Sequence, residues 1–240
     1  MASHTYRDDA IVLRTYKLGE ADRIVVLLTK EHGKVRAVAK GVRKTGSKFG
    51  GRLEPSSHAA LQLHIGRDLD IVTQAESLDV FRSIRGDLDR FTRASAMLEA
   101  VEQLAPGHEQ NPRLFEMLLG ALRTLEARDS AMVVTGFFLK VLALEGFRPE
   151  VTRCVGCGTE QSIVSFDVDD GGVRCSACRR GPAISPSALG LLRDVLGGRL
   201  AGALAAPASP ATHEVGALAT RLMEHHIERR LRSVGVLERH

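Results

Sequence analysis

The chain contains no tryptophan, and aromatic residues make up only 4% of it. A single-strand platform built from successive rings is therefore disfavoured, because each stacked base needs a ring beneath it. No apolar run approaches the roughly 18 residues that suggest a membrane span. Residues Met1 to Asp9 are polar and lack a signal-type hydrophobic core. These absences predict a soluble, cytoplasmic protein with no membrane partner. No Gly-x-Ser-x-Gly elbow occurs, and no carboxylate pair sits in a recognisable catalytic setting, so an enzyme is not expected. Cysteine is confined to four positions between Cys154 and Cys178, which points to one local site and away from a disulfide framework.

What is present is globular. Hydrophobic residues make up 44% and charged residues 26% of 240, enough for two or three compact units. The first ~80 residues read as β structure by their period and turns. Apolar, β-branched runs cover Ile11 to Tyr16, Ile24 to Leu28, Val35 to Ala39 and Asp70 to Ala75. Between them, Ala59, Leu61, Leu63 and Ile65 alternate with His58, Gln62 and His64, predicting one dry and one wet face, with the histidines on the surface. Five short strands suit a small closed barrel, either an OB-fold or an SH3-like barrel.

Helical spacing takes over after Asp79, with Ile84, Leu88, Phe91, Leu98 and Val101 on one stripe. Asn111-Pro112 supplies a cap and a first-turn proline for a second helix, and a third runs from about Ser130 to Glu145. Ser185-Pro186 starts another. Gly197 to Thr212 reads as a loop or linker, and a last helix carries Val215, Leu218, Leu222 and Leu231. Arg229, Arg230 and Arg232 would close that helix at the negative end of its dipole, and His225-His226 would be surface residues.

The cysteines form two C-x-x-C pairs, Cys154-Val-Gly-Cys157 and Cys175-Ser-Ala-Cys178, separated by 17 residues. That spacing matches a four-cysteine zinc ribbon, each pair making a knuckle with two thiolates on one tetrahedral ion. A redox C-x-x-C would be expected on a βαβ unit, which the pattern lacks. Four thiolates fill the tetrahedron, so Zn2+ here is expected to be structural. Asp167, Asp169, Asp170 and Gly171 suggest a calcium loop only superficially. Counted from Asp167, the glutamate required at position twelve is Cys178, so the acidic tip reads as a hairpin turn.

Lys34, Arg36, Lys40, Arg43, Lys44, Lys48 and Arg52 lie within 19 residues that contain no Asp or Glu. Flexible, glycine-spaced cations can follow a phosphate backbone without reading sequence, which predicts nucleic-acid binding here. Gly41 to Lys48 is not a phosphate-binding loop, because Ser47 precedes Lys48 where the motif needs lysine first.

Taken in order, Ala10-Ile-Val-Leu-Arg14, Gly19-Glu-Ala-Asp-Arg23, Leu28-Thr-Lys-Glu-His-Gly33-Lys34, Ala37-Val-Ala-Lys-Gly41-Val-Arg43 and Ser47-Lys-Phe49, followed by helices and the four cysteines, resemble the RecO family of bacterial recombination mediators. The resemblance implies an α+β multidomain chain. Its parts would be an OB-fold DNA-binding domain at 1–80, a helical bundle at 81–152, an inserted zinc finger at 153–182 and C-terminal helices completing the helical domain at 183–240. It further implies binding of single- and double-stranded DNA and annealing of complementary strands. Partnership with RecR and with the C-terminal tail of single-stranded-DNA-binding protein (SSB), loading of RecA during DNA repair, and association with the nucleoid complete the expectation. The alternative from the residues alone is a non-enzymatic docking module in which barrel and ribbon serve a transcription or translation complex.

Overall fold

The computed structural model describes residues 4–234. It forms two compact units that divide between Ala127 and Arg128. In the first, strands β1 (Thr5–Leu18), β2 (Asp22–Thr29), β3 (Gly33–Ala39), β4 (His58–His64) and β5 (Asp70–Asp79) close in the order β1-β2-β3-β5-β4. All neighbours are antiparallel except β3 and β5, which run parallel with Ala37 opposite Asp70. This Greek-key order is that of an OB-fold and not of the SH3-like alternative. The long β1 bulges between Val12 and Arg14, which lets it curl and pair with both β2 and β4.

Alternating side chains from every strand, among them Val12, Leu27, Val35, Leu61, Leu63 and Val72, fill the barrel. The segment joining β3 to β4 adds Phe49 and Leu53, each only 1% exposed, to the same cluster. Ala10, Ala37, Ala39 and Ala59 are small neighbours in that cluster, leaving volume for a phenyl ring.

Helices α1 (Arg82–Gly86), α2 (Leu88–Leu104) and α3 (Pro112–Ala127) belong to the same unit, and α2 packs on β1. Ala10 to Leu13 are consequently buried on both faces of the strand. The cap predicted for α3 forms, with the Leu114 N–H donating to Asn111 Oδ1 at 3.0 Å. Two expectations for β4 fail. His58, expected on the surface, is buried, its ring edge-on to Phe115 of α3 at 5.8 Å, because the helix covers what a bare strand would leave wet. Its Nδ1 lies 2.8 Å from Asp79 Oδ2, which also accepts from Arg123 at 2.9 Å. Ile65, expected on the dry face, lies beyond the strand end and is 54% exposed.

The second unit holds α4 (Met132–Leu144), the hairpin β6 (Ile163–Asp167) and β7 (Gly172–Cys175), then α5 (Pro186–Leu196), α6 (Leu200–Ala205) and α7 (Pro210–His226). α4 is buried along most of its length and packs against α5, α6 and α7, so the helices of 81–152 are shared between the two units. Gly146 ends its final turn with φ +87°, a value that favours glycine. Part of the expected linker is helical. Leu200 of α6 sits where a side chain at Gly136 would be, its Cδ1 only 2.6 Å from an added Cβ, so docking on α4 overrides weak local helix signals. A capping box between Ser209 and Thr212 starts α7 inside the same stretch. Arg229, Arg230 and Arg232 lie past the end of α7 at His226, where the last turn is closed by His225 and His226 instead.

If the Phe49 ring plugs the barrel, Phe49→Ala should cost about 3–5 kcal/mol, read from the denaturant midpoint of the intact chain; a cost below about 1 kcal/mol would mean that it does not. For Asp79, burial pushes the carboxyl up, but hydrogen bonds from Arg123 and His58 outweigh it and hold it below the ordinary value. A depressed carboxylate stabilises above its unfolded pKa, and that contribution is lost as pH falls through the folded one. Stability should therefore decline below about pH 4, and Asp79→Asn should flatten that part of the pH profile.

Candidate metal centre and nucleic-acid interface

Both C-x-x-C pairs converge. The four sulfur atoms of Cys154, Cys157, Cys175 and Cys178 all lie within 4.8 Å of one another. Cys157 Sγ and Cys175 Sγ are 3.7 Å apart. A tetrahedral ion with bonds near 2.3 Å requires sulfur–sulfur edges of roughly 3.8 Å, so the spacing fits an ion at the centre. The first knuckle depends on Gly156, where an added Cβ would come 3.2 Å from Cys178 Sγ and 2.6 Å from Arg174 Nη1. Gly158 closes the turn at φ +79°, its N–H donating to Cys154 O at 2.8 Å. The Val155 N–H donates to Val173 O at 2.9 Å and ties the knuckle to β7.

The electrostatics of the cluster also call for a cation. The backbone N–H of Cys175, helped by those of Cys157 and Gly156, pulls the Cys154 thiol down to about 6. Hydrogen bonding with the Cys157 and Cys175 thiols pushes Cys178 up to about 12. Four thiolates packed this closely repel one another until a positive ion sits among them. The four cysteines can therefore hold one soft divalent metal ion, with every tetrahedral position taken by sulfur and none left for water. At the hairpin tip, Asp167 accepts from the Asp169 and Asp170 N–H groups and pairs with Arg174 at 3.0 Å. It is a turn clamp, as its sequence suggests, and no second metal-ligand cluster occurs among the described residues.

The basic stretch is not the flexible loop its glycines suggest. From Gly41 to Ser57 it is a chain of consecutive turns, including a 3-10 turn at Gly50–Leu53, with backbone bonds such as Ser47 N to Lys44 O at 2.9 Å and Arg52 N to Phe49 O at 3.0 Å. Arg43 N donates to Ala21 O at 3.0 Å, and Gly41 N to Asp22 Oδ1 at 2.7 Å, which fastens the loop to the β1–β2 turn. Phe49 and Leu53 point into the barrel, so Lys40, Arg43, Lys44, Lys48 and Arg52 are left exposed. Lys48 Nζ donates to Thr73 O at 2.8 Å and lies 5.1 Å from the centre of the Phe49 ring. Arg52 braces the loop by donating to Lys48 O and Phe49 O.

Two members of the stretch lie elsewhere, on β3. Arg36 is exposed on the strand. Lys34 donates from Nζ to Glu102 O at 2.7 Å, satisfying a carbonyl in the last turn of α2, and burial lowers its pKa against the opposing pull of Glu102. Arg85 is a cation that sequence reasoning missed. It reaches Gly51 O at 3.2 Å and Ser57 Oγ at 2.6 Å from α1, and nothing in its local sequence signals that tertiary contact.

Comparison with known proteins agrees with this architecture. The family model for the recombination protein O N terminal matches residues 1–81, and that for the C terminal matches residues 85–234. The DNA repair protein RecO of Frankia casuarinae is 46% identical over 241 residues, covering 98% of each chain.

The chain belongs to the RecO family.

For this RecO-family chain the barrel, the helices and the four-cysteine cluster are all present as the resemblance implied. Among the described residues no helix is long and apolar enough to cross a membrane. The cluster makes its own prediction. Cys175→Ser, or a strong chelator, should release the bound metal and open residues 153–182 to proteolysis while the barrel stays folded. Metal content and cleavage mapping are the readouts, and unchanged cleavage after metal loss would show that the ion does not hold the ribbon.

Proposed function

We propose that this protein is a non-enzymatic recombination mediator that binds single- and double-stranded DNA and anneals complementary strands. With RecR it helps load RecA onto SSB-coated strands, engaging the SSB C-terminal tail, in the bacterial cytoplasm and at the nucleoid during repair. DNA contact is assigned to the OB-fold of residues 1–80, through Lys34, Arg36, Lys40, Arg43, Lys44, Lys48 and Arg52. Residues 81–152 and 183–240, of which 235–240 lie outside the described residues, are assigned to the helical part around the finger insert of 153–182. The ion is Zn2+, held by Cys154, Cys157, Cys175 and Cys178, and its role is to fold the ribbon.

One observation carries this reading. The stretch from Lys34 to Arg52 holds no carboxylate, and its loop after β3 is anchored by two buried apolar side chains, so the loop's exposed cations are presented on a fixed surface. Annealing needs charge neutralisation that lets two polyanions approach, and fixed cations supply it with little ordering cost. Lys34 contributes less to that surface than its neighbours, because its ammonium is already bonded to α2.

The combined substitution Arg43→Glu, Lys44→Glu and Lys48→Glu should weaken oligonucleotide binding by at least about tenfold. It should also lower the salt slope by roughly 0.7 for every single-strand phosphate that is no longer neutralised. The thermal midpoint should change little. Unchanged affinity in a folded variant would remove the loop from the DNA interface and favour a docking role in a protein complex.

A further inference from the structure

The opposite end of the barrel carries a second feature that the basic loop does not use. A cleft of about 480 Å³ opens where the β2–β3 turn, the β4–β5 turn and the loop between α2 and α3 meet. Two glycines build it. A Cβ at Gly33 would overlap Glu109 O, so only glycine lets the α2–α3 loop settle on the β2–β3 turn, where His108 N donates to Lys34 O at 3.1 Å. A Cβ at Gly66 would overlap Leu69 O, and the β4–β5 turn is closed by Gly66 N donating to Asp70 Oδ1 at 3.1 Å. Asp70 also accepts from Tyr6 Oη at 2.5 Å, so both of its oxygens are committed to the wall of the cleft.

The groups that remain to meet a ligand are mostly cationic. Arg36 and Arg67 line the cleft, both exposed and neither paired with a carboxylate among the described residues. His32 lines it too. Asp8, whose carboxylate is 1% exposed, holds His32 Nδ1 at 2.7 Å and leaves Nε2 as the uncommitted nitrogen. The His32 ring rests on the Tyr6 ring with centroids 4.3 Å apart, and it is 45% exposed, so it offers a supported aromatic surface in a chain poor in such surfaces. His108 adds a further imidazole from a backbone held at φ +56°, a conformation that costs energy for a residue with a side chain. Asp68 brings one opposing carboxylate to the lining.

A preformed cleft of this size, with convergent cations and one braced ring, has the chemistry of a nucleotide site. We propose that it is a nucleotide subsite, taking one phosphorylated nucleotide with its phosphate met by Arg36 and Arg67 and its base laid against the His32–Tyr6 pair. The subsite deepens the DNA-binding reading and rests on it. It gives the barrel a contact with bases at one end and a contact with phosphates alone at the other. The same chemistry fits a nucleotide within a strand or a free nucleoside monophosphate.

The test uses the full metal-loaded chain with two probes: a single-stranded oligonucleotide carrying 2-aminopurine, and free dAMP followed by NMR at Tyr6. The variants are Arg36→Glu with Arg67→Glu, His32→Ala, and the triple loop reversal. Any loss of positive charge weakens DNA binding, so base stacking is the deciding readout. Binding should quench 2-aminopurine in the native chain and in the loop variant at saturating DNA, and His32→Ala should lose most of that quench. The paired arginine reversal should lower oligonucleotide affinity on the order of tenfold. Perturbation of Tyr6 by dAMP, lost in the arginine variant, would show that free nucleotide enters as well; no perturbation, with the quench intact, assigns the cleft to strands. An unaltered quench in His32→Ala would overturn the subsite while leaving the loop interface standing. Failure of the native chain to bind any oligonucleotide would instead remove the DNA reading, and dAMP alone would then decide whether the cleft binds nucleotides.

Discussion

Burial of Phe49 and Leu53 in the barrel is the constraint on which the placement of the basic loop depends. Both residues come from the connection between β3 and β4, and both join the cluster of strand side chains that fills the barrel. A connection that is polar throughout would be free to move, and its cations would lose configurational freedom on meeting DNA. Here the ordering cost is met during folding. The two apolar anchors face inward and the successive turns between Gly41 and Ser57 face the cations outward. Hydrophobic burial thus has an electrostatic consequence, because it decides where positive charge stands.

The ribbon in the second unit solves a different problem. Two short strands are marginal alone in water. Burial of Phe166 and Val173 is therefore joined by the sulfur cluster and by the Asp167–Arg174 pair behind it. Burial of Asp167 would raise its pKa, but the Asp170 N–H and the guanidinium groups of Arg180 and Arg174 outweigh that and keep it ionised. The tip is therefore held by charge and the base by the cysteine cluster, with a single glycine, Gly156, giving the sulfur of Cys178 room to approach.

Much of this was legible in the chain itself. The five strands, the caps at Asn111 and Ser185 and the converging cysteines rest on local patterns of period, turn chemistry and ligand spacing, and local patterns survive folding. The misreadings share a tertiary cause. His58 sits on the polar side of a correctly placed strand, but α3 arrives from more than fifty residues away and buries it. α6 forms because Gly136 lets Leu200 dock, which no window around residue 200 reveals. The basic stretch was readable as charge but not as structure, since the roles of Phe49 and Leu53 appear only once the barrel interior exists to receive them. The cleft at the β2–β3 turn was invisible for the same reason: its walls come from four separated segments.

Amide hydrogen exchange across residues 41–57 of the DNA-free protein tests the central claim most directly. The anchored loop predicts slow exchange at Ser47, Arg52 and Ser57, whose N–H groups are bonded within the turns, before any DNA is added. Exchange at the rate of an unfolded chain throughout this segment would contradict it, and would mean that the barrel core does not put the cations in place.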